Sequence, residues 1–261
     1  MKVKMGKLLT KGHALFLAYD HGMEHGPTDF NGKNVDPSYV LGIAEKGKFN
    51  GVVFQKGIAE KYYDPKKNKV PLILKLNGKT SLVKGDPISR QLCTVKEAVK
   101  LGASAVGYTI YLGSMHESVM FQEFEKIESE AHRRGIPVIV WMYPRGKSIK
   151  NDTSKDILAY ATRAALELGA DIVKVKYPSD SKALGWMVKS AGRTKVVIAG
   201  GAKKTDKALL RQVELIVKSG AAGIAIGRNV WQHKNPLAIA GALRAIIFAG
   251  KSAEEAGRLL R

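Results

Sequence analysis

The sequence predicts a (β/α)8 barrel, the TIM-barrel fold, because one strand-then-helix rhythm runs through all 261 residues. Eight short apolar runs alternate with amphipathic helical patterns, and no Gly/Ser-rich linker or low-complexity segment separates them. Several runs are too apolar for a sheet with one wet face, which is typical of parallel strands covered on both sides. An open doubly wound sheet is the alternative, but eight even units favour closure. We therefore expect one barrel domain over residues 1–261.

The strands are predicted from runs rich in Val, Ile, Leu and Ala that are bounded by turn residues. In chain order they are 14–19, 51–55, 71–76, 104–109, 137–142, 171–176, 195–199 and 223–227. The active sites of such barrels lie at the carboxyl ends of the strands. The residues just after each run are therefore the candidates for function.

Helices are predicted between the strands from their start signals and their periodicity. Asp36 and Asn235 each precede a proline, which places an N-cap side chain before the first helical position. Ser114 and Glu117 have the spacing of a capping box. The helix after that box carries apolar residues at i, i+4, i+7 and i+11 from Met120 onward, which makes one face apolar.

Composition limits the class of partner. The net charge is +20, and 45% of the residues are hydrophobic. A surplus of positive charge makes nucleic acid a candidate partner, but the basic residues are spread along the whole chain and do not form one patch in the sequence. Because no helix-turn-helix, zinc-finger or aromatic-interleaved RNA motif is visible, we expect no specific nucleic-acid binding. Lysine-rich surfaces also suit anionic substrates such as sugar phosphates.

Cysteine usage and the N-terminal stretch indicate the compartment. Cys93 is the single cysteine, so there is no intramolecular disulfide and no CxxC metal pattern, which fits a reducing cytoplasm. The basic N-terminal stretch is followed by only about five apolar residues before Asp20, too few for a signal peptide or a membrane span. We expect a soluble cytoplasmic protein without a membrane partner.

The sixth strand carries two lysines, Lys174 and Lys176, in an otherwise apolar run. Removing an ammonium from water is costly, so a lysine inside a core strand usually has a chemical role. Burial lowers the pKa of such a lysine and frees a neutral amine that condenses with a carbonyl. The alternative is that both side chains reach the strand end and stay solvated. The residues at the other strand ends favour the chemical role.

The segment after the first strand holds carboxylate and imidazole side chains. Asp20 stands at the strand tip, where a carboxylate can orient a substrate or take part in catalysis. His21, Glu24 and His25 match the HxxEH zinc pattern, which needs a helix to bring both histidines to one face. Two glycines and a proline interleaved with these residues predict a loop instead. We therefore expect no metal site.

Strands 3 and 5 bring further polar side chains to the same end of the barrel. Lys75 lies inside the third strand and Lys79 comes after it. The fifth strand ends in Trp141, Tyr143 and Arg145. An aromatic pair followed by an arginine turn can wall a pocket and supply a phenol for proton transfer. Simple packing at the barrel top is the alternative for the two aromatic residues.

Glycines stand after the last two strands. Gly200 and Gly201 come after strand 7, and Gly227 with Arg228 after strand 8. Barrels of this kind bind a phosphate group there through backbone N–H groups. A phosphate site beside a strand-6 lysine and a strand-5 tyrosine predicts Schiff-base chemistry on a phosphorylated ketose or aldose, without a cofactor.

Six segments together resemble a known family. They are AYDHGMEHG at 18–26, GVVFQKG at 51–57, LKLNGKT at 74–80, VGYTI at 106–110, WMYPRG at 141–146 and IGRNVW at 226–231. In this order they closely resemble the archaeal-type class I fructose-1,6-bisphosphate aldolases, over essentially the whole chain. The resemblance implies a (β/α)8 barrel that cleaves fructose 1,6-bisphosphate to dihydroxyacetone phosphate and glyceraldehyde 3-phosphate without a metal.

The resemblance also implies roles for individual residues. It assigns the Schiff base to Lys174 rather than Lys176 and proton transfer to Tyr143. The carboxylate that the family carries after strand 1 corresponds to Asp20. The remaining residues that it implies are the pocket tryptophan Trp141 and the phosphate-binding Gly200, Gly201, Gly227 and Arg228. Members of the family are commonly homodecamers, so a homo-oligomer is expected.

A sister group with the same barrel, lysine and tyrosine is the alternative interpretation. It is a transaldolase-like synthase of 2-amino-3,7-dideoxy-D-threo-hept-6-ulosonate, and it also resembles the chain around Asp20, Tyr143 and Lys174. The basic segment 74–79 favours the bisphosphate aldolases, because extra cations there suit a second phosphate. A nucleic-acid-binding protein is the remote alternative.

On the aldolase interpretation, Lys174 forms an iminium ion with the substrate ketone and Tyr143 is the acid–base group. Asp20 either orients hydroxyl groups or shares proton transfer. Lys176 is expected to help lower the pKa of Lys174 through its positive charge. The candidates for the second phosphate are Lys79, Arg145 and His25, and Lys75 is a further candidate for substrate binding.

Overall fold

The structure is a computed structural model that describes residue 3 and residues 5–260, so part of the basic N-terminal stretch lies outside the described residues. Eight strands form a closed barrel in which each strand pairs in parallel with the next and β8 pairs with β1. They are β1 Ala14–Ala18, β2 Gly51–Gln55, β3 Leu72–Lys75, β4 Ala105–Leu112, β5 Val138–Pro144, β6 Ile172–Val175, β7 Lys195–Ala199 and β8 Gly223–Ile226. The predicted (β/α)8 barrel is confirmed.

Strands β4 and β5 run further than the sequence predicted. They pair without a break from Val106 opposite Val138 to Leu112 opposite Pro144. The extra length arises because Tyr111 and Leu112 are buried and continue the strand beyond its predicted end at residue 109. As a result Tyr143 belongs to β5 itself and not to the loop that follows it.

The helices surround the barrel. They are α1 Gly22–His25, α2 Pro37–Lys46, α3 Lys56–Tyr62, α4 Val95–Lys100, α5 Glu117–Arg133, α6 Lys155–Glu167, α7 Leu184–Ser190, α8 Asp206–Lys218, α9 Arg228–Trp231, α10 Pro236–Ala249 and α11 Ala253–Gly257. Short 3-10 turns occur at Gly26–Asp29, Ser181–Ala183 and Arg258–Leu260. In the described part of the chain, none of these helices combines the length and the apolar character needed to cross a bilayer.

Two predicted helix starts are confirmed and one is wrong. The side chains of Asp36 and Asn235 cap α2 and α10 by accepting backbone N–H bonds in the first turn. Ser114 does not form the predicted capping box, because α5 begins at Glu117 and the Ser114 hydroxyl accepts from the backbone N–H of His116 at 3.2 Å while it donates to the carbonyl oxygen of Pro87 at 2.7 Å. The Glu117 carboxylate instead accepts from the backbone N–H of Gly113 at 2.7 Å, which ties the helix start to the end of β4.

The segment after β1 is also more regular than predicted. The sequence indicated a loop, but Gly22–His25 forms one α-helical turn that continues into the 3-10 turn Gly26–Asp29. The ring of Phe30 packs over Gly22, where a β carbon would lie 3.2 Å from it. This tertiary contact outweighs the low helix propensity of glycine.

The barrel interior holds its own apolar core. Inward side chains from alternate strand positions form it, among them Phe16, Val53, Ile73, Ile139, Ile172 and Val197. Outward side chains pack beneath the helices in a second, larger core. Since strand side chains alternate, the residues two positions beyond the inner core face inward again, at the barrel mouth. Lys75, Trp141 and Lys174 occupy that level directly above an apolar floor.

Candidate active site

A cavity of about 470 Å³ opens at the carboxyl ends of the barrel strands. Every residue that the sequence placed at a substrate site lines it. These residues are Asp20, His25, Lys75, Lys79, Trp141, Tyr143, Arg145, Lys174, Gly200, Gly201, Gly227 and Arg228. The cavity therefore brings together side chains from strands and loops all around the barrel.

Lys174 is a buried amine at the bottom of this cavity. It is 6% exposed, and its register neighbours on β5 and β7 are the apolar side chains of Trp141 and Val197. Burial lowers the pKa of the Lys174 ammonium, while the carboxylates of Asp20 and Glu24 oppose that shift. A lysine in such surroundings can supply the neutral amine that attacks a carbonyl.

Lys176, the second lysine of the run, has a different environment. It lies just beyond β6 at the rim of the cavity, and its ammonium pairs with the carboxylate of Asp152. The expected contribution of Lys176 to the lowered pKa of Lys174 is not found, because the lowering has burial as its cause. The carboxylate of Asp152 neutralises the charge of Lys176 at close range.

A second buried lysine, Lys75, shares the cavity floor with Asp20. Lys75 is 5% exposed, and its Nζ lies 3.8 Å from Oδ2 of Asp20. Burial alone would raise the pKa of Asp20, but positive charge on the neighbouring lysines, Lys174 and Lys75, holds it below its usual value. Burial lowers the pKa of Lys75, and Asp20 opposes that shift. Asp20 is therefore a carboxylate at neutral pH.

The indole of Trp141 lies within reach of both lysines. Its ring centroid is 5.1 Å from Nζ of Lys75 and 5.0 Å from Nζ of Lys174. The face of an indole attracts a cation at such distances. Trp141 therefore forms a wall of the reaction site and gives favourable surroundings to whichever neighbouring nitrogen carries a positive charge.

Tyr143 presents a phenol at the same cavity. Burial raises the pKa of its hydroxyl well above the usual value, and the carboxylates of Asp20 and Glu24 add to the effect. The hydroxyl is therefore protonated across the physiological pH range. It can donate a proton to a developing anion and recover that proton in the reverse direction.

The rim opposite strands 7 and 8 is held by an ion pair. Arg145 donates through Nη1 to Oε1 of Glu24 and lies over the ring of Tyr111, with Cζ 5.2 Å from the centroid. Lys79 lies on this side too, and its Nζ donates to the carbonyl oxygen of Thr80 at 2.6 Å. Two cations thus face the cavity at the edge where the sequence placed a second phosphate.

The glycine loops after β7 and β8 are fastened together by Asn229. Its Nδ2 donates to the carbonyl oxygens of Gly200 at 3.3 Å and Ala202 at 2.9 Å. Its Oδ1 accepts from the backbone N–H of Lys204 at 2.7 Å. Both loops approach neighbouring backbone closely: a β carbon on Gly227 would lie 2.7 Å from the carbonyl oxygen of Ala18. The backbone that lines this side of the cavity is therefore fixed in place.

Arg228 is held at the mouth by Asp29. Its Nη1 donates to Oδ1 of Asp29 at 3.2 Å, and Nδ1 of His25 lies 2.7 Å from the other carboxylate oxygen. His25 and Arg228 thus meet on one carboxylate, although the two are far apart in sequence. A phosphate that enters beside them would find two groups already positioned to receive it.

The same region contains the one candidate metal cluster found among the described residues. Ligand atoms of His21, His25 and Asp29 lie within 4.8 Å of one another. However, the guanidinium of Arg228 already lies on the Asp29 carboxylate, and a cation in the cluster would be repelled by it. The donor set therefore fits an ion-pair network better than a metal site, and the metal-free site stays a prediction.

Several residues of the site were missed by the sequence analysis. Tyr111 lies beyond the predicted end of β4, and only the true strand length shows that it faces the cavity. Asp29 and Asn229 act through contacts across the fold, so local patterns carry no signal for them. Glu24 was noted only as part of a zinc pattern, whereas it pairs with Arg145.

Comparisons with known proteins agree with this geometry. Residues 14–233 match the family model described as DeoC/LacD family aldolase. A protein of Thermoproteus tenax named fructose-bisphosphate aldolase class 1 is 53% identical over 248 residues, which cover 94% of this chain and 93% of that protein. The chain therefore belongs to the DeoC/LacD aldolases, and within them to the archaeal-type class I fructose-bisphosphate aldolases.

Two further relatives refine the comparison. A solved archaeal fructose 1,6-bisphosphate aldolase superposes with a TM-score of 0.90 at 52% identity, covering 94% of this chain and 98% of that one. A Methanocaldococcus jannaschii protein is 42% identical, over 95% of this chain and 86% of its own length. Its name combines fructose-bisphosphate aldolase with 6-deoxy-5-ketofructose 1-phosphate synthase.

Proposed function

We propose that this chain is a Schiff-base aldolase that reversibly cleaves fructose 1,6-bisphosphate to dihydroxyacetone phosphate and glyceraldehyde 3-phosphate. The observation that carries the proposal is the buried Lys174, which has a lowered pKa and shares one cavity with a protonated tyrosine hydroxyl. The class 1 name of the relative that is 53% identical supports this substrate over that of the sister synthase.

In the first step, the neutral amine of Lys174 attacks the C2 ketone of the open-chain sugar. A C–N bond forms, the carbonyl electron pair moves to oxygen, and a proton passes from nitrogen to that oxygen. Tyr143 then donates its hydroxyl proton so that the C2 hydroxyl leaves as water, and an iminium ion remains on Lys174. The cation faces the Trp141 ring, which favours its formation.

In the second step, the iminium ion accepts the electron pair of the C3–C4 bond. The Tyr143 phenolate left by the first step takes the C4 hydroxyl proton as that bond breaks, the aldehyde is released, and an enamine remains. The Tyr143 hydroxyl protonates the enamine at C3, and hydrolysis of the resulting iminium ion frees dihydroxyacetone phosphate. Asp20, whose pKa is held low, is a weak base, so we assign it to orienting substrate hydroxyl groups.

The two phosphates are assigned to opposite sides of the mouth. The C1 phosphate is placed on the backbone of Gly200, Gly201 and Gly227 and on Arg228, all of which line the cavity near Lys174. The C6 phosphate is placed at the rim formed by Arg145 and Lys79. His25, which the sequence analysis offered for the second phosphate, is instead assigned to the C1 side, because it lies beside Arg228 through their shared partner Asp29.

Reduction of the covalent intermediate tests the central assignment. The protein is incubated with dihydroxyacetone phosphate and sodium borohydride, and the adduct is located by peptide mass spectrometry. We expect it on Lys174, and we expect Lys174→Arg to abolish it while Lys176→Arg retains it. An adduct on Lys176 would reassign the nucleophile, and a folded protein that forms no adduct at all would overturn the mechanism.

We also propose that the whole chain, residues 1–261, is one catalytic domain that works in the cytoplasm as a homo-oligomer, with a decamer expected from the family. Cys93 is a buried free thiol, which suits a reducing compartment.

Two exposed aromatic side chains support the assembly into an oligomer. On the outer surface, Tyr160 of α6 is 62% exposed and Trp186 of the adjacent α7 is 47% exposed. Aromatic side chains of this kind are enriched at subunit interfaces. Analytical ultracentrifugation tests the assembly, and a monomer at micromolar concentration would contradict it.

A further inference from the structure

The cavity floor holds a second buried lysine that the proposed chemistry does not use. Lys75 and Lys174 are 5% and 6% exposed, and their Nζ atoms lie at nearly equal distances from the Trp141 ring. A buried ammonium needs a compensating charge, because its hydration is lost. Two lysines at one floor therefore raise the question of which one carries a proton.

The distances indicate which lysine has a partner. Nζ of Lys75 lies 3.8 Å from Oδ2 of Asp20, both side chains are less than a tenth exposed, and this is the one ion pair that Asp20 makes within the described residues. Lys174 lies at the same floor but is not within ion-pair distance of any carboxylate in the described chain. Asp20 therefore makes its ion pair with Lys75 and not with Lys174, and this geometry makes Lys75 the lysine that it compensates, although a charge on Lys174 would also lower the pKa of Asp20.

Besides Asp20, the carboxylate that opposes the lowered pKa of Lys174 is that of Glu24, and it is already paired with Arg145. The register neighbours of Lys174, Trp141 and Val197, are apolar. Of the other titratable groups that line this cavity, Lys176 pairs with Asp152, and burial lowers the pKa of His21 to about 4. The remaining groups are cationic or neutral and supply no negative charge: Tyr111, Tyr143 and Tyr177, whose hydroxyl pKa values are raised by burial, and His25, Lys79, Lys204 and Arg228. One free carboxylate is thus shared by two lysines.

We propose that Lys75 is a positioning residue that occupies the Asp20 carboxylate and so leaves Lys174 as the neutral amine. With Asp20 negative, Lys75 positive and Lys174 uncharged, the buried group has no net charge. This inference rests on the proposed function for the use of that amine, but the charge arrangement itself belongs to the protein without substrate. It replaces the role that the sequence suggested for Lys176.

Removing the Lys75 charge should raise the pKa of Lys174. In Lys75→Met or Lys75→Gln, Asp20 loses its partner and stabilises a proton on Lys174 instead. An opposite charge within a few ångströms typically raises the pKa of a lysine by about one unit or more. Each unit lowers the fraction of neutral amine about tenfold at a pH below the pKa. Removing both charges, in Asp20→Asn with Lys75→Met, should return the titration of Lys174 toward that of the wild type.

The titration of Lys174 can be measured without substrate or turnover. The lysines are dimethylated with 13C-formaldehyde, the signal of Lys174 is identified by its absence in Lys174→Arg, and its chemical shift is followed against pH by NMR. Lys75→Met and Lys75→Gln should each move the midpoint upward by about one pH unit or more. Lys176→Gln is the matched control, because the Lys176 charge is already paired with Asp152. Near-UV circular dichroism establishes that each variant is folded.

Two results would overturn the proposal. One is an unchanged or lowered Lys174 midpoint in a folded Lys75→Gln protein, whose amide can still hydrogen-bond Asp20. The other is an upward shift in Lys176→Gln as large as that in the Lys75 variants. Because the readout needs no sugar phosphate, a protein that fails to cleave fructose 1,6-bisphosphate would still decide the role of Lys75. In an active protein, the acid limb of kcat/KM against pH should move with the midpoint, and Lys75→Arg should restore it.

Discussion

Gly107 provides the space that the indole of Trp141 occupies. Gly107 lies on β4 opposite Ile139, the residue two positions before Trp141 on β5. A β carbon at position 107 would overlap Cζ3 and Cη2 of the indole, so that the ring could not lie where it does. The missing side chain on β4 thus allows Trp141 to lean across the barrel mouth toward Lys75 and Lys174.

Gly107→Ala should therefore displace the Trp141 ring. Overpacking of this kind costs about 1–3 kcal/mol of the free energy of unfolding. A displacement of about 1 Å at a reaction site can lower kcat/KM by about 10²-fold. Chemical denaturation, aldolase kinetics and tryptophan fluorescence would measure the three effects.

The control for this substitution is Gly241→Ala in α10, where a β carbon has nothing within 4 Å. Alanine at an open helical position is expected to be neutral or to stabilise by up to about 1 kcal/mol. If the variants at positions 107 and 241 behaved alike, steric support of Trp141 by Gly107 would be rejected.

Tyr143→Phe removes one hydroxyl and keeps the ring. Because a general acid–base group acts mainly in the transition state, we expect kcat to fall by about 10²-fold or more with little change in substrate binding. Steady-state kinetics with a binding measurement on the reduced-rate enzyme would separate the two effects. A wild-type kcat would assign proton transfer elsewhere, with Asp20 the next group to replace.

The inward-facing residues of the site could be predicted because side chains alternate along a strand, so every second residue points into the barrel. Once eight strands are recognised, Lys75, Trp141 and Lys174 fall at strand ends, where a barrel places its active site. The choice of Lys174 over Lys176, however, came from family resemblance. The structure adds the physical difference between them: Lys174 is buried within β6, whereas Lys176 lies beyond its end and is paired.

Contacts between distant segments could not be predicted in the same way. Arg228 and Asp29 are separated by 199 positions, and no local pattern indicates that they pair. The helical turn at Gly22–His25 was mispredicted because its glycine-rich sequence disfavours helix, while packing under Phe30 stabilises it. Gly107 looked like an ordinary strand residue, because its importance depends on a ring carried by the neighbouring strand.

The stability of the protein should fall as the pH falls from 7 to 5, in part because of His21. Burial lowers the pKa of His21 from about 6.5 in the unfolded chain to about 4, so the unfolded state binds a proton first. The contribution of neutral His21 to the free energy of unfolding is fully present above pH 6.5 and is lost as the pH falls toward 4. Between pH 7 and pH 5 this loss is about 2 kcal/mol.

The variant that tests this titration is His21→Phe, which keeps an aromatic ring for the stacking on Trp231 at 5.5 Å. Urea denaturation of wild type and variant at pH 7 and pH 5 gives the comparison. Between pH 7 and pH 5, the free energy of unfolding of the variant should fall by about 2 kcal/mol less than that of the wild type. An equal loss in both proteins would show that another group is responsible.

Treatment with EDTA should leave the activity intact. In the Schiff-base mechanism the iminium ion is the electron sink, so no step needs a metal. The only cluster of metal-ligand type among the described residues, His21, His25 and Asp29, lies against the guanidinium of Arg228. Loss of activity on chelation, with recovery on adding Zn²⁺, would instead assign a metal to these three side chains.

The two phosphate assignments can be separated by comparing fructose 1,6-bisphosphate with fructose 1-phosphate. Removing the C6 phosphate should lower kcat/KM, since binding energy at the Arg145 and Lys79 rim positions the bond that breaks. Arg228→Ala should lower kcat/KM for both substrates by a similar factor, because each keeps its C1 phosphate. Arg145→Ala should lower kcat/KM for the bisphosphate only.

Arg163→Ala is the surface control for these variants, since Arg163 pairs with Glu167 on the exposed face of α6. Equal turnover of the two sugars by the wild type would remove the second phosphate site and indicate a broader aldolase or the sister synthase. An Arg228→Ala variant that affects the bisphosphate alone would exchange the two sites.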